Sequence, residues 1–234
     1  MKRQKILVLI LLGAVAASLF FWKKSKEEPK VVTVVIPEGS TVAEVNGRLE
    51  QSGVLSGTAV LPQSEEGYLF PDTYQFYAPS TIAAVEKKFE ANFKNKTAAV
   101  IPKNEDIKKT LIIASLIEKE AATGKDQGLV SGIIEKRLQA GIPLQIDSTI
   151  CYIKPAPCLP IRSADLRIDS PYNTYEHKGL PLGPIDNPGL ASIEAALNPQ
   201  SSPYWYYLSN RAGKVVYART LDEQERNVVK YLTN

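Results

Sequence analysis

Histidine and cysteine are almost missing from this chain of 234 residues, which has one His and two Cys. His177 with Cys151 and Cys158 cannot furnish a four-ligand zinc site of Cys and His, and a Cys–His nucleophile pair has little to draw on. A large excess of one charge is lacking too. Lys and Arg number 28 against 25 Asp and Glu, a formal net of +3. Residues 1–30 hold seven basic and two acidic groups, a net of +5, which leaves 21 basic and 23 acidic, a net of −2, in residues 31–234. The globular part therefore lacks the basic footprint of a nucleic-acid binder, and no nucleic-acid partner is expected. Hydrophobic residues at 44% and charged residues at 23% exclude wholesale disorder. About 200 residues past the N-terminus suffice for one good core, or for a domain with a small module.

The long apolar run comes first. Ile6 to Trp22 is 17 residues without a charge, about 25 Å as a helix. That is the short end of a membrane span, and Lys23 and Lys24 can snorkel to extend it. Ala14-Val15-Ala16 has the small-x-small form of a signal-peptidase site. The run nevertheless continues to an aromatic end at Phe20-Phe21-Trp22, which suits an uncleaved anchor at the membrane interface. Residues 1–30 are read as a cytoplasmic tip, a single-pass anchor and a tether, with the bulk of the chain on the extracytoplasmic side. In such a compartment Cys151 and Cys158, which bracket a proline-containing loop, are candidates for a structural disulfide.

Beyond the tether the pattern is α+β. Val31–Ile36 is strand-like, Pro37-Glu38-Gly39 turns, and Ser40 or Thr41 caps a helix to Gln51 with Val42, Val45 and Leu49 as its stripe. Glu66–Tyr74 is neither helix-periodic nor alternating and reads as a packed irregular segment. Ile82–Lys96 is a helix with Val85, Phe89 and Phe93 on one face. Asn104 is expected to cap a helix through Glu120 that is apolar almost all round, hence central and buried. Asp126–Ala140 is a further helix, stopped by Gly141. Ser170–Pro188 is a long ordered loop, and Asn187-Pro188 opens a helix to Leu197. Tyr204–Ser209 and Lys214–Ala218 form a hairpin, and Thr220-Leu-Asp-Glu223 caps a last helix to Leu232.

Chemistry is most plausibly carried by acids. Glu118 continues the stripe of Ile107, Leu111 and Ala114, and desolvation at the end of an apolar stripe keeps a glutamic acid protonated for general acid work. Glu120 sits about 200° away around the helix and follows Ile113, Leu116 and Ile117, so periodicity alone does not choose between them. Leu144-Gln145-Ile-Asp147 offers an amide and a carboxylate two residues apart, on one face if extended. Tyr172-Asn173-Thr-Tyr175 groups hydroxyls, an amide and flat rings, the mixture of a sugar-binding cleft.

Several segments, in this order, resemble signatures of one family: Glu66-Gly-Tyr-Leu-Phe-Pro-Asp-Thr-Tyr74, Ala114-Ser-Leu-Ile-Glu-Lys-Glu120, Leu144-Gln-Ile-Asp147, Ser170-Pro-Tyr-Asn-Thr-Tyr175, Gly179-Leu-Pro-Leu-Gly-Pro-Ile185 and Asn187-Pro-Gly189. The family is the membrane-anchored endolytic murein transglycosylases, YceG-like. The resemblance implies a YceG-like catalytic domain over 61–234 with a small antiparallel sheet, preceded by a partial LysM-like module over 31–60. It implies cleavage of the β-1,4 bond between N-acetylmuramic acid and N-acetylglucosamine inside peptidoglycan strands. The muramyl C6 hydroxyl attacks C1 and leaves a 1,6-anhydro end, with no cofactor and no metal. One glutamate serves as acid and then base, and the match places it on Glu118, with Glu120 as the second candidate. Gln145, Asp147, Tyr172, Asn173 and Tyr175 fall at positions that line the cleft. By the same resemblance the enzyme works beside peptidoglycan synthases and trims or terminates nascent strands.

Departures stand beside the likeness. Only Gly57–Glu65 joins the module to the Glu66 segment, Ser148 stands where proline is usual, and Gln224 where histidine is common. Two other readings compete: a non-catalytic peptidoglycan-binding scaffold, and a hydrolytic muramidase using Glu118 with Asp147.

Overall fold

The computed structural model describes residues 30–121, 124–210 and 212–232. The expected anchor, Ile6–Trp22, lies outside them. Among the described residues no helix is long and apolar enough to cross a membrane.

The chain enters on β1 (Lys30–Ile36), turns at Pro37–Ser40, and forms α1 (Val42–Gln51). Thr41 and Glu44 make a reciprocal capping box, and Val42, Val45 and Leu49 are buried as the stripe requires. After a short 3-10 turn at Gln63–Glu65 comes β2 (Asp72–Ala78), antiparallel to β1 with Lys30 opposite Ala78 and Ile36 opposite Asp72. The irregular segment expected at Glu66–Tyr74 thus ends at Pro71, and its last residues are strand. Tyr74 and Phe76 alternate inward and meet Phe89 of α2 (Ile82–Thr97), with ring centroids 4.5 and 5.9 Å away. One core draws on Val34, Leu49, Leu61, Tyr74 and Phe89. Residues 31–60 therefore pack as part of a lobe that runs to residue 97.

The second lobe is built on α3 (Ile107–Glu120), whose residues 110–117 are all buried. Its N-cap is Asp106, which accepts from the Lys109 N–H at 3.1 Å, rather than the expected Asn104. Either side chain satisfies a first-turn donor, and the packing of α3 decides the register. Around α3 lie α4 (Gly124–Gln139), α5 (Asp147–Ile153) and α6 (Leu190–Leu197). The hairpin β3 (Tyr206–Ser209) and β4 (Val215–Ala218) leads into α7 (Leu221–Leu232). With two two-stranded antiparallel sheets and these helices among the described residues, the class is α+β.

The condition set for the Gln145–Asp147 pair is not met, and a second expected helix start is corrected. The segment Leu144–Asp147 is not extended, because Asp147 opens α5 and Gln145 takes φ +54°. Asn187 and Pro188 do not cap and open α6. Gly189 is the N-cap and Leu190 the first helical residue, while Asn187 is spent on tertiary contacts.

Candidate functional site

The last turn of α3 carries Glu118, Lys119 and Glu120, and at about 100° per residue the two acids leave the helix on opposite sides. Glu118 is half-buried. Its Oε2 accepts from the Gly189 N–H at 3.0 Å and from the Ser192 hydroxyl at 2.6 Å. It is thus docked on the first turn of α6, where free N–H groups and the helix dipole favour negative charge. Ser192 is itself held by the Gln127 amide at 3.1 Å. Glu38 closes over this point: a Cβ on Gly189 would sit 2.0 Å from its Oε1. Burial first, and the Glu118 charge second, raise the Glu38 carboxyl above its usual range.

Glu120 faces elsewhere, onto a cavity of about 830 Å³. Glu120, Arg137, Gln145, Asp147, Ser148 and Tyr175 give this cavity its polar wall, and Trp205, Tyr206 and Leu208 an apolar one. Glu118 is not among its lining residues. Burial pushes the Glu120 carboxyl up to about 7, and the nearby Asp147 charge adds to the rise. The Ser148 hydroxyl, which donates to Oε1 at 2.9 Å, works against it. The Tyr207 hydroxyl bears on the same carboxyl, and burial followed by the Glu120 charge raises that phenol well above its usual range.

The two sequence clusters meet at this cavity. Gln145 N–H donates to the Thr174 carbonyl at 3.0 Å, and Ile146 N–H to the Thr174 hydroxyl at 3.0 Å, so Leu144–Asp147 is sewn to Tyr172–Tyr175. The Tyr175 hydroxyl donates to Asp147. Arg137 donates to the Gln145 side chain at 2.8 Å, to the Pro143 carbonyl at 2.7 Å and to the Trp205 carbonyl at 3.1 Å. Gln145, Asp147 and Tyr175 line the cavity, whereas Tyr172 and Asn173 do not. Asn173 is wholly buried and ties the Leu166 and Ile168 carbonyls with its amide. Tyr172 packs on Tyr152, centroids 4.9 Å apart, and its hydroxyl would lie 3.1 Å from a Cβ placed on Gly183, a tight approach. Cys151 and Cys158 are disulfide-bonded.

Behind the last turn of α3 lies a second polar cluster. Buried Asn187 accepts the Gly67 and Leu69 N–H groups at 2.9 and 2.8 Å and donates to the Ser40 carbonyl and to Glu66. Glu66 is pushed up to about 7 by burial, which outweighs the hydrogen bonds from Val42 N–H, Tyr152 and Gln63. Lys119 donates to the Gly39 carbonyl at 2.6 Å and lies 3.8 Å from Asp186. Both carboxyl oxygens of Asp186 are buried without a hydrogen-bond partner, and burial pushes that acid up to about 8.

Sequence reasoning missed Arg137, Ser148, Trp205, Tyr207 and Asp186. Arg137 was within reach, since it falls on the same face of α4 as Val130, Ile133 and Ile134. Ser148 and Asp186 adjoin the segments already singled out, whereas Trp205 and Tyr207 are brought in from the β3 region by packing and carry no local signal. Among the described residues, no group of three or more His, Cys, Asp or Glu is placed to hold a metal ion.

Comparison with known proteins gives concordant results. The sequence profile of the YceG-like family matches residues 14–230. A protein of Bacillus subtilis (strain 168) named endolytic murein transglycosylase is 38% identical over 174 residues, 72% of this chain and 48% of its own length. One of the same name from Streptococcus pneumoniae serotype 2 (strain D39 / NCTC 7466) is 30% identical over 253 residues, 89% of this chain and 46% of its own length. The chain thus spans about half the length of the curated relatives it matches. A crystal structure of a putative yceG-like protein from Listeria monocytogenes superposes with a TM-score of 0.69 at 28% identity, covering 87% of this chain and 78% of that one.

Proposed function

The chain belongs to the YceG-like family, and on that premise we propose that it is a peptidoglycan lytic transglycosylase whose acid/base opens on the cavity at the end of α3. The observation that carries this reading is the state of Glu120: a carboxyl raised to about 7 by burial, facing a cavity large enough for several sugar units. Both glutamates of the turn are candidates, and the family likeness alone points to Glu118. Both carboxyls have hydrogen-bond partners, Gly189 and Ser192 for Glu118 and Ser148 for Glu120, but of the two only Glu120 lines the cavity, and that favours Glu120.

In the proposed reaction the protonated glutamic acid donates to the glycosidic oxygen as the bond from muramyl C1 breaks. The resulting carboxylate then takes the proton of the muramyl C6 hydroxyl, whose oxygen closes on C1. One bond breaks, one forms, the proton returns to the enzyme, and no water is consumed. Asp147, held by Tyr175, supplies negative charge near the developing oxocarbenium ion. Gln145, held by Arg137, offers its amide to the sugar. We place the chain at the plasma membrane, anchored by Ile6–Trp22 with the catalytic part outside. There the LysM-like strand–turn–helix serves as a docked support, and neighbouring synthases supply nascent strands.

The test is mass spectrometry of glycan strands digested by the purified full chain. Products ending in 1,6-anhydromuramic acid, lost in Glu120→Gln and retained in Glu118→Gln, support the reading. Loss in Glu118→Gln with retention in Glu120→Gln moves the role to Glu118. Ordinary reducing ends indicate a hydrolase with Asp147 as second carboxylate, and binding without products indicates a scaffold.

A further inference from the structure

The cavity has a rim that the reaction does not use. α5 starts with Asp147 and Ser148 on the cavity floor and continues to Cys151, which lines the same cavity. Cys151 is bonded to Cys158, with Cα atoms 5.0 Å apart, so the loop between them is fastened to the helix that bears the polar floor. A second fastening comes from Lys154. Its ammonium donates to the Cys158 carbonyl at 2.8 Å, to the Pro160 carbonyl at 3.1 Å and to the Asp165 carboxylate at 2.7 Å. Asp165 also receives the Arg162 N–H at 2.8 Å. Disulfide and lysine thus grip the chain on both sides of Leu159. That leucine lines the cavity and yet is 71% exposed, the most exposed large hydrophobic residue described.

An exposed leucine held still by a covalent bond and three polar contacts is poorly explained by folding, because it covers almost nothing in its own chain. We propose that Leu159 is a specificity-determining residue, a fixed apolar contact for the first residue of the peptide stem borne by the muramyl unit bound in the cavity. The proposal rests on the transglycosylase reading of the site. The chemistry chooses the occupant. Sugar rings present C–H faces that flat aromatic rings match, and the Trp205–Tyr206 wall offers such rings. A branched aliphatic group at the solvent edge matches methyl groups instead. Methyl groups of a peptidoglycan strand lie on the N-acetyl groups, the lactyl ether and the alanine residues of the stem. The first two stay close to the sugar ring, so for a glycan seated on the polar floor the first stem residue is the one that reaches the solvent edge where Leu159 stands. The enzyme then reads the stem as well as the sugar.

The experiment compares peptide-bearing strands with strands stripped of stems by an amidase, using the purified full chain. The wild type is expected to cleave the peptide-bearing strands with a kcat/KM about tenfold higher, the scale of a small apolar contact in a binding site. Leu159→Ser brings the ratio to within about twofold, through KM and with an unchanged melting temperature. Reduction of the disulfide in the wild type narrows the ratio in the same direction. An unchanged ratio under either treatment overturns the proposal. If the wild type forms no 1,6-anhydro ends from either strand, the reaction class has failed, and co-sedimentation decides the inference separately. Preferential retention of peptide-bearing strands by wild type and not by Leu159→Ser upholds it, and equal retention overturns it.

Discussion

Replacing Asn187 by alanine should cost this fold more than any loss of packing volume suggests. The side chain is fully buried and makes four hydrogen bonds: from Gly67 N–H and Leu69 N–H to its oxygen, and from its amide to the Ser40 carbonyl and the Glu66 carboxyl. After Asn187→Ala the two acceptors keep other partners, since Ser40 still receives the Asn187 backbone N–H and Glu66 still receives the Val42 N–H. The two donors have no alternative. Each buried, unsatisfied N–H costs about 1–3 kcal/mol, so the loss is about 4 kcal/mol, a large part of the ~5–15 kcal/mol that folds a typical domain. Urea unfolding monitored by tryptophan fluorescence and by circular dichroism measures it. Asn187→Asp restores an oxygen that accepts from both the Gly67 and Leu69 N–H groups while adding a carboxyl beside Glu66, so it should recover much of the stability at pH 5 and little at pH 8. A loss below about 1 kcal/mol in Asn187→Ala would refute the reasoning, because water would then be replacing the amide without penalty.

Other outcomes follow from the same geometry. If Glu120 donates the first proton, kcat falls as pH rises through about 7, and Glu120→Gln lowers it by about 10²–10⁴-fold below that pH and by less above it; a rate flat from pH 6 to 9 contradicts this. Glu66 and Asp186 have folded-state values of about 7 and 8, above ordinary values of 4.5 and 3.8. The native state therefore keeps protons that the unfolded chain has released. Their contribution is full below about pH 4 and is lost as pH rises toward 8. Urea midpoints taken across that range should decline, and less steeply in Asp186→Asn. In α4, Gly132→Ala places a Cβ 1.8 Å from the Gln200 carbonyl oxygen, a backbone atom. It should destabilise by about 1–3 kcal/mol or more by thermal melt.

The helices were legible where one face alone decides burial. Val42, Val45 and Leu49, and Val85, Phe89 and Phe93, are buried as their spacing requires. The all-round apolar stretch of α3 is the centre of its lobe. What escaped were residues whose side chains answer to distant partners. Asn187 has the chemistry of a helix cap, yet its amide is claimed by Gly67, Leu69 and Glu66, so Gly189 takes the cap. Asp147 would share a face with Gln145 only in an extended run, and the positive φ at Gln145 turns the local backbone instead. The choice between Glu118 and Glu120 was illegible for the same reason. Helical spacing says that they diverge, but only the neighbours show that one meets the start of α6 and the other a cavity.

The pairing of β1 with β2 also has a mechanical side. The described chain begins at Lys30, the first residue of a strand whose seven positions all have partners along β2. A pull applied there along the strand axis loads the whole ladder in shear, the direction in which hydrogen bonds must fail together rather than one at a time. Just past the strand, Gly39 is gripped by Lys119 from the last turn of α3. Whatever holds the N-terminus is thus coupled through a stiff ribbon to the residue between the two glutamates.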